Sequence, residues 1–364
     1  MRATLLRWVY RLEEQVDRRV SALVRHRLGW RPTVVPYISY GTSSSVHVRG
    51  RVLLSRPHAR RRPRRSLLPG LRHFLSVELA GEQVQVEVAG RVHDAVASAD
   101  GYVEATFETP ALQPGWHAIT FVVTAQPDAP VTGRLLVVDP GARLGVVSDI
   151  DDTIIHTGLT RLVDAVRTTL LIPEHARREI AGASHFYRAL CAGTAGPTQL
   201  FYVSTGAWNL HPVIERFLAR HGFPAGPVLM TDWGPSSGWL FRESSLSYKA
   251  RVIDALIQEH PGLTWVLIGD SGQDDPEAYA AVARAHPDRL AAVYIRDVAP
   301  ASNARGERVR RLAAELAVVG VPMLLVPDIA AAAADAHARG LIDERARKVV
   351  SRAVQNGAAA PPRP

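Results

Sequence analysis

Cysteine is almost absent from this chain of 364 residues: Cys191 stands alone. One thiol can build neither an intramolecular disulfide framework nor a cysteine-ligated zinc site, so a reducing compartment is expected. Cys191 itself reads as a small buried apolar residue. Lysine is nearly as scarce, occurring only at 249 and 348, so forty-one of the forty-three Lys and Arg side chains are arginine. A membrane-length apolar run is missing too. The most apolar stretch, Leu316 to Val326, contains Gly320 and Pro322, is stopped by Asp328, and is too short for a bilayer. At the N-terminus Arg2, Arg7 and Arg11 interrupt the apolar residues before a signal-peptide core can form, so a cytoplasmic protein is expected. The fourteen histidines show no His-Glu-x-x-His spacing. What is present is 47% hydrophobic residues, enough for two soluble domains with real cores.

The formal charge of +8 is unevenly spread. Residues 1–65 hold sixteen arginines against Glu13, Glu14 and Asp17, a surplus of thirteen, which leaves the remainder net acidic by five. Within that segment Leu5, Val9, Leu12, Val16, Val20 and Leu23 recur at helical spacing among arginines, predicting a basic amphipathic helix within residues 1–31. The run Arg56 to Arg65, with Pro57 and Pro63, predicts a loop. Both could rest on an anionic membrane surface, where each cation contributes about 1 kcal/mol, and the protein would then be peripheral on the inner face of the membrane. The same charge would attract nucleic acid. The bland alternative is a helix packed on the body and a solvated loop.

Two patterns follow. Between residues 32 and 140, segments such as Ser45–Leu54, Phe74–Leu79, Gln83–Val88, Tyr102–Phe107, Ala118–Val123 and Thr132–Val138 alternate apolar and polar residues between turn signals, predicting an antiparallel β-sandwich. From Leu144 strands alternate with longer helical segments, the sign of a parallel α/β sheet. Strands are predicted at Leu144–Ser148, Leu200–Ser204, Val228–Thr231, Trp265–Gly269, Ala291–Arg296 and Met323–Val326, with a helix over Ala250–Glu259. In such sheets ligands bind beyond the carboxyl ends of the strands, and those ends carry Asp149, Ser204 and Asp270.

These residues suit phosphoryl transfer through an aspartyl-phosphate. Asp149 would attack, and Asp151 would protonate the leaving oxygen and later accept a proton from the hydrolytic water. Carboxylates this close call for a hard cation with oxygen ligands, most simply Mg2+. Asp270 and either Asp274 or Asp275 would complete the metal site with Asp149 and Asp151. Ser204, with the backbone N–H groups of Thr205 and Gly206, could take phosphoryl oxygens. Lys249, in an arginine-rich chain, suggests a place where only a compact ammonium fits. Gly269-Asp-Ser271-Gly resembles the surroundings of a serine nucleophile, but it ends an α/β strand, and a Ser271 nucleophile is set aside. His156 could touch a substrate or simply pack. Asp232, Trp233 and Trp239 lie in a Gly/Ser-rich stretch able to serve as a flap or an ordinary loop. Asp152 reads as a structural hydrogen-bond acceptor.

Asp149-x-Asp151-x-Thr153, Ser204, Lys249 and Gly269-Asp270, in this order, resemble the motifs of the haloacid dehalogenase-like phosphohydrolases. Asp149-Ile-Asp-Asp-Thr-Ile154, Phe201-Tyr-Val-Ser204, Gly222-Phe-Pro-Ala-Gly226, Ile268 to Tyr279 and Val293-Tyr-Ile-Arg-Asp297 resemble more closely the catalytic domain of actin-patch-type Mg2+-dependent phosphatidate phosphatases. The resemblance covers residues 144 to 300. It implies a haloacid dehalogenase-like Rossmannoid domain over 141–345, a phosphomonoester lipid substrate giving diacylglycerol and phosphate, and Asp275 rather than Asp274 at the metal. One departure bears on substrate preference: Ser204-Thr-Gly-Ala-Trp208 stands where a serine-proline pair is expected. A soluble or nucleic-acid phosphate ester, or binding without turnover, remain the alternatives. The alanine- and proline-rich tail, 346–364, is expected to be disordered.

Overall fold

The computed structural model describes residues 29–55, 79–155, 179–193, 196–231, 244–298 and 303–359. The basic helix, the arginine loop, most of the strand expected at Phe74–Leu79, His156, Asp232, Trp233, Trp239 and the last five residues of the tail lie outside them. The chain divides into two compact units that meet in sequence at Asp139 and Pro140.

The first unit is built of strands β1 (Arg31–Pro36), β2 (Ser39–Gly41), β3 (Ser45–Ser55), β4 (Gln83–Val88), β5 (Arg91–Val96), β6 (Tyr102–Glu108), β7 (Gly115–Val123) and β8 (Val131–Val137). They hydrogen-bond in the order β1-β3-β2-β8-β7-β4-β5, with β6 on the other edge of β3. The alternation in β4 is complete, Val84, Val86 and Val88 turning inward and Gln83, Gln85 and Glu87 outward, because successive side chains leave a strand on opposite faces. Those valines join Val46, Val48, Val52, Phe121 and Leu135 in one core. The sheet is mixed rather than wholly antiparallel. The short β2 runs antiparallel to β3 but parallel to β8, and so ties the two groups of hairpins into one hydrogen-bonded path.

The second unit contains a six-stranded sheet, β11-β10-β9-β12-β13-β14, in which every pair is parallel. Its strands are β9 (Leu144–Asp149), β10 (Thr198–Ala207), β11 (Val228–Thr231), β12 (Thr264–Asp270), β13 (Leu290–Arg296) and β14 (Met323–Val326). The protein is therefore α/β. All six residues of β9 are buried, as expected of a central parallel strand covered on both faces. Gly145 lies opposite Trp265 in the register, and a Cβ there would stand 2.4 Å from the indole ring, so only glycine lets that ring lie over the strand. Helices are α1 (Ala183–Ala192), α2 (His211–Arg220), α3 (Ser245–Glu259), α4 (Asp275–Ala285), α5 (Asn303–Val318), α6 (Ile329–Ala338) and α7 (Glu344–Ala359).

Three sequence expectations need correction here. The helix expected from Ala250 begins at Ser245, because the Ser244 hydroxyl accepts the Ser247 N–H at 3.0 Å and caps an earlier turn. Lys249 is thus inside α3 rather than before it. The tail expected to be disordered from residue 346 is α7 through Ala359: Asp343 accepts the Ala346 N–H at 2.7 Å, Val350 is fully buried, and Gly357 lies against Ala181. Its alanine content suits a helix as well as disorder. Finally, the chain does not turn directly after Ser204, since β10 continues to Ala207 through a register shift. The apolar run Leu316 to Val326 is divided into the end of α5, a turn with Gly320 at φ +80°, and β14. No helix among the described residues is long and apolar enough to cross a membrane.

Candidate active site

β9 lies between β10 and β12, so Asp149 and Asp270 end adjacent strands, and Ser204, the residue after Asp149's partner Val203, sits level with them inside β10. The chain proceeds from β9 to β10 and β11 on one side and then crosses to β12 on the other, which makes the ends of β9 and β12 a topological switch point. Asp149 and Asp270 are buried there with Asp275, the first residue of α4, and a carboxylate oxygen from each lies within 4.8 Å of the others. Asp274 is the residue before the helix and is not in this group. Gly269 makes the approach possible: a Cβ on it would stand 2.6 Å from Asp275 Oδ2.

Lys249 enters from α3 with its side chain fully buried. Nζ donates to Asp149 Oδ1 at 2.6 Å and also to Asp275 Oδ1. Asp275 Oδ2 accepts the Asp270 N–H at 3.1 Å, and Asp270 Oδ1 accepts the Gly272 N–H at 2.5 Å. Burial works against the Lys249 ammonium, but the Asp149 and Asp275 carboxylates outweigh it and hold the group protonated. Burial pushes the Asp149 carboxyl above the usual range, opposed by Lys249 and assisted by its acidic neighbours. Burial, and then Asp275, push Asp270 up to about 7.

Two oxygens in this cluster stand out. Asp149 Oδ2 and Asp270 Oδ2 are buried without a hydrogen-bond partner among the described residues. Three carboxylates against one ammonium also leave an excess of negative charge, and buried charge is costly unless it is compensated. Two unpartnered hard oxygens and surplus negative charge fit a divalent oxygen-loving cation. Both oxygens of Asp275 are already engaged, so it is placed to orient Asp149 and Asp270 through Lys249 and the Asp270 N–H.

Asp151 is half-buried and its carboxylate is not part of the three-residue group; Oδ2 accepts from the Ser204 hydroxyl at 3.1 Å. Ser204 is buried and its Oγ also accepts the Gly206 N–H at 2.9 Å. Thr205 is buried, and its carbonyl accepts from the Thr231 hydroxyl at 2.8 Å. Of the two N–H groups expected to face a phosphoryl oxygen, that of Gly206 is thus taken up by Ser204. Ser271 belongs to the frame: its hydroxyl accepts the Val298 N–H at 3.1 Å and donates to Asp297 at 3.4 Å.

Other residues carry no motif of their own. Ser148 Oγ donates to the Asp149 carbonyl at 2.6 Å and lies 2.5 Å from the Tyr187 hydroxyl, so the strand end at Asp149 is tied to α1. Asp152 has a left-handed backbone, φ +53°, and its carbonyl accepts from the Arg296 guanidinium. Tyr187 is 38 residues from Asp149 and Arg296 is 144 from Asp152, distances at which spacing carries no signal. Arg296 ends β13 within Val293 to Asp297, and no local pattern there marks it for a role.

Buried carboxylates, an ammonium and a hydroxyl gather at one end of the parallel sheet, and the segment that carries them is similar in sequence to a phosphatase family. Residues 144–297 match the family described as "Phosphatidate phosphatase APP1, catalytic domain". The phosphatidate phosphatase APP1 of Saccharomyces cerevisiae is 29% identical over 153 residues, 42% of this chain and 26% of that protein. An uncharacterized protein of Schizosaccharomyces pombe is 28% identical over 160 residues, 43% of this chain and 25% of that one. The chain therefore spans about a quarter of the length of these curated relatives. Among solved structures, a carbohydrate acetylesterase from Xanthomonas citri aligns over 89% of this chain and 74% of its own, at 12% identity and a TM-score of 0.29, too slight a likeness to bear on the fold or the site.

Proposed function

We propose that this chain is a Mg2+-dependent phosphatase with a haloacid dehalogenase-like catalytic domain, working through an aspartyl-phosphate on Asp149. The observation that carries the reading is the buried group of Asp149, Asp270 and Asp275 around Lys249, lying inside the segment that matches the phosphatidate phosphatase family. Asp149 and Asp270 would hold the ion, with Asp275 behind them, and Mg2+ when bound would neutralise phosphoryl oxygens and fix their position.

The chain's own residues account for the bond changes. A carboxylate oxygen of Asp149 attacks phosphorus, the phosphorus–oxygen bond to the alcohol breaks, and Asp151 gives its proton to the departing oxygen. In the second half a water loses a proton to Asp151 and attacks the phosphorus, and the bond to Asp149 breaks to release phosphate. Lys249 favours the ionised nucleophile, since its charge opposes the effect of burial on Asp149. Ser204 can turn its hydroxyl from Asp151 to a phosphoryl oxygen, and Thr205 supplies backbone beside it. Burial of the group limits water, so the electrostatic contacts act at reduced screening.

For the substrate we propose phosphatidate or a related phosphomonoester lipid, yielding diacylglycerol and phosphate. Two features support it: the name of the curated relative from Saccharomyces cerevisiae and the surplus of thirteen positive charges in residues 1–65, which would hold the enzyme peripherally on an anionic membrane. The test is phosphate release with Mg2+ from phosphatidate in vesicles, from soluble phosphate esters and from 3′- or 5′-phosphorylated oligonucleotides. Preference for the vesicle substrate is expected. Faster turnover of a soluble ester or an oligonucleotide would overturn the lipid assignment, and no release from any substrate would leave a phosphate-binding module.

A further inference from the structure

We propose that Arg296 is a positioning residue for Asp151, acting through the main-chain carbonyl of Asp152; this rests on the role given above to Asp151 as the acid. Arg296 is the last residue of β13 and lies beside Asp270 in the register. Its Nε donates to the Asp152 carbonyl at 2.8 Å, and Nη2 donates to the same oxygen. Two donors from one planar group on one acceptor fix direction as well as distance, which a single ammonium cannot do.

The segment that receives this contact is a tight turn closed by its own backbone. The Ile150 carbonyl accepts the N–H groups of Ile154 at 2.9 Å and Ile155 at 3.1 Å, and the Asp152 N–H donates to the Ile155 carbonyl at 2.9 Å. These bonds close the turn on one side. Its reversal depends on the left-handed backbone of Asp152, φ +53°, a conformation that a residue with a Cβ keeps only where its surroundings impose it. Arg296 imposes it from the other side by fixing the carbonyl of that residue. Asp151 is the residue immediately before; its carboxylate accepts from the Ser204 hydroxyl at 3.1 Å, and Arg296 would steady the turn from which that carboxylate projects. The nucleophile is held separately: Asp149 by Lys249 and Ser148, and Asp275 by Lys249 and the Asp270 N–H.

Loss of Arg296 should therefore weaken proton donation rather than phosphoryl binding. A leaving group that departs readily as an anion does not need the acid, whereas an alkoxide does. The experiment compares kcat/KM of the full chain with Mg2+ for an aryl phosphate and an alkyl phosphate that the wild type hydrolyses. Arg296→Met is expected to slow the alkyl ester about 100-fold and the aryl ester less than about fivefold, within the range of general-acid catalysis. Arg296→Lys, which keeps the charge but loses the planar pair of donor nitrogens, should fall between, and added guanidinium should restore the alkyl rate of Arg296→Met selectively. Arg296→Lys carries the same comparison if the methionine variant does not fold. Asp151→Asn is the reference. If Asp151→Asn is selective for the alkyl ester while both Arg296 variants slow the two esters equally, the assignment of Arg296 is overturned. If Asp151→Asn itself slows both equally, Asp151 is not the acid, and the premise fails first.

Discussion

Replacing Lys249 by methionine removes the ammonium that bridges Asp149 and Asp275 in a fully buried group. Breaking a buried ion pair from one side costs about 3–5 kcal/mol, and here two carboxylates lose their partner, which favours the upper end at pH 8 without metal. The cluster has one means of relief, the uptake of a proton. Burial and then Asp275 already push Asp270 up to about 7. A carboxyl raised in the folded state contributes stability that is full below its unfolded value and is lost as the pH rises from there through the folded value. Without Lys249 this raised value climbs further, so the gap between variant and wild type should narrow at lower pH, by about 1 kcal/mol between pH 8 and pH 6 at about 1.4 kcal/mol per unit. The assay is urea denaturation in EDTA at both pH values, followed by far-UV circular dichroism. Lys249→Arg is the informative companion: it keeps the charge but overfills the site, costing about 1–3 kcal/mol, and it should lose activity. A Lys249→Met protein within about 1 kcal/mol of wild type at pH 8 would refute the burial and ionisation argued for this group.

Three further outcomes are expected. Mg2+ at a hundred times its dissociation constant should stabilise the wild type by about 2.7 kcal/mol, read as a thermal shift, while Asp270→Asn should show little shift; an equal shift in both would place the ion elsewhere. Asp149→Asn should abolish Mg2+-dependent phosphate release from every ester, and surviving release would mean another nucleophile. Gly269→Ala would bring a methyl group to 2.6 Å from Asp275 Oδ2 and 2.8 Å from the Tyr279 ring, an overpacking worth about 1–3 kcal/mol; circular dichroism melting should detect it, and an unchanged melt would contradict the close approach of β12 and α4.

The legible part of this protein was the part that each segment decides for itself. A run such as Leu144 to Ser148, apolar on both faces, reports a strand buried on both sides, and Asp149 at its end is visible as the first polar step out of the sheet. Composition singled out Lys249 before any contact was known, because nearly every other cation is arginine. The same local reading failed at the caps and ends. Ser244 and Asp343, whose side chains accept main-chain N–H groups, lengthened one helix and made another of a segment whose alanines and prolines had suggested disorder.

What the sequence by itself determined is the set of polar residues on the buried strands and the class of chemistry they suit. Only the tertiary structure decided which of them meet. The order β10-β9-β12 makes Ser204, Asp149 and Asp270 neighbours although 121 residues separate the first aspartate from the last. The start of α4 admits Asp275 and leaves Asp274 outside the group, and Arg296 crosses to a peptide 144 positions earlier in the chain. Periodicity and composition record whether a residue is buried, which each segment settles locally. Strand order and side-chain direction depend on how distant segments share one core, so the distances that make carboxylates into a site exist only in the folded chain.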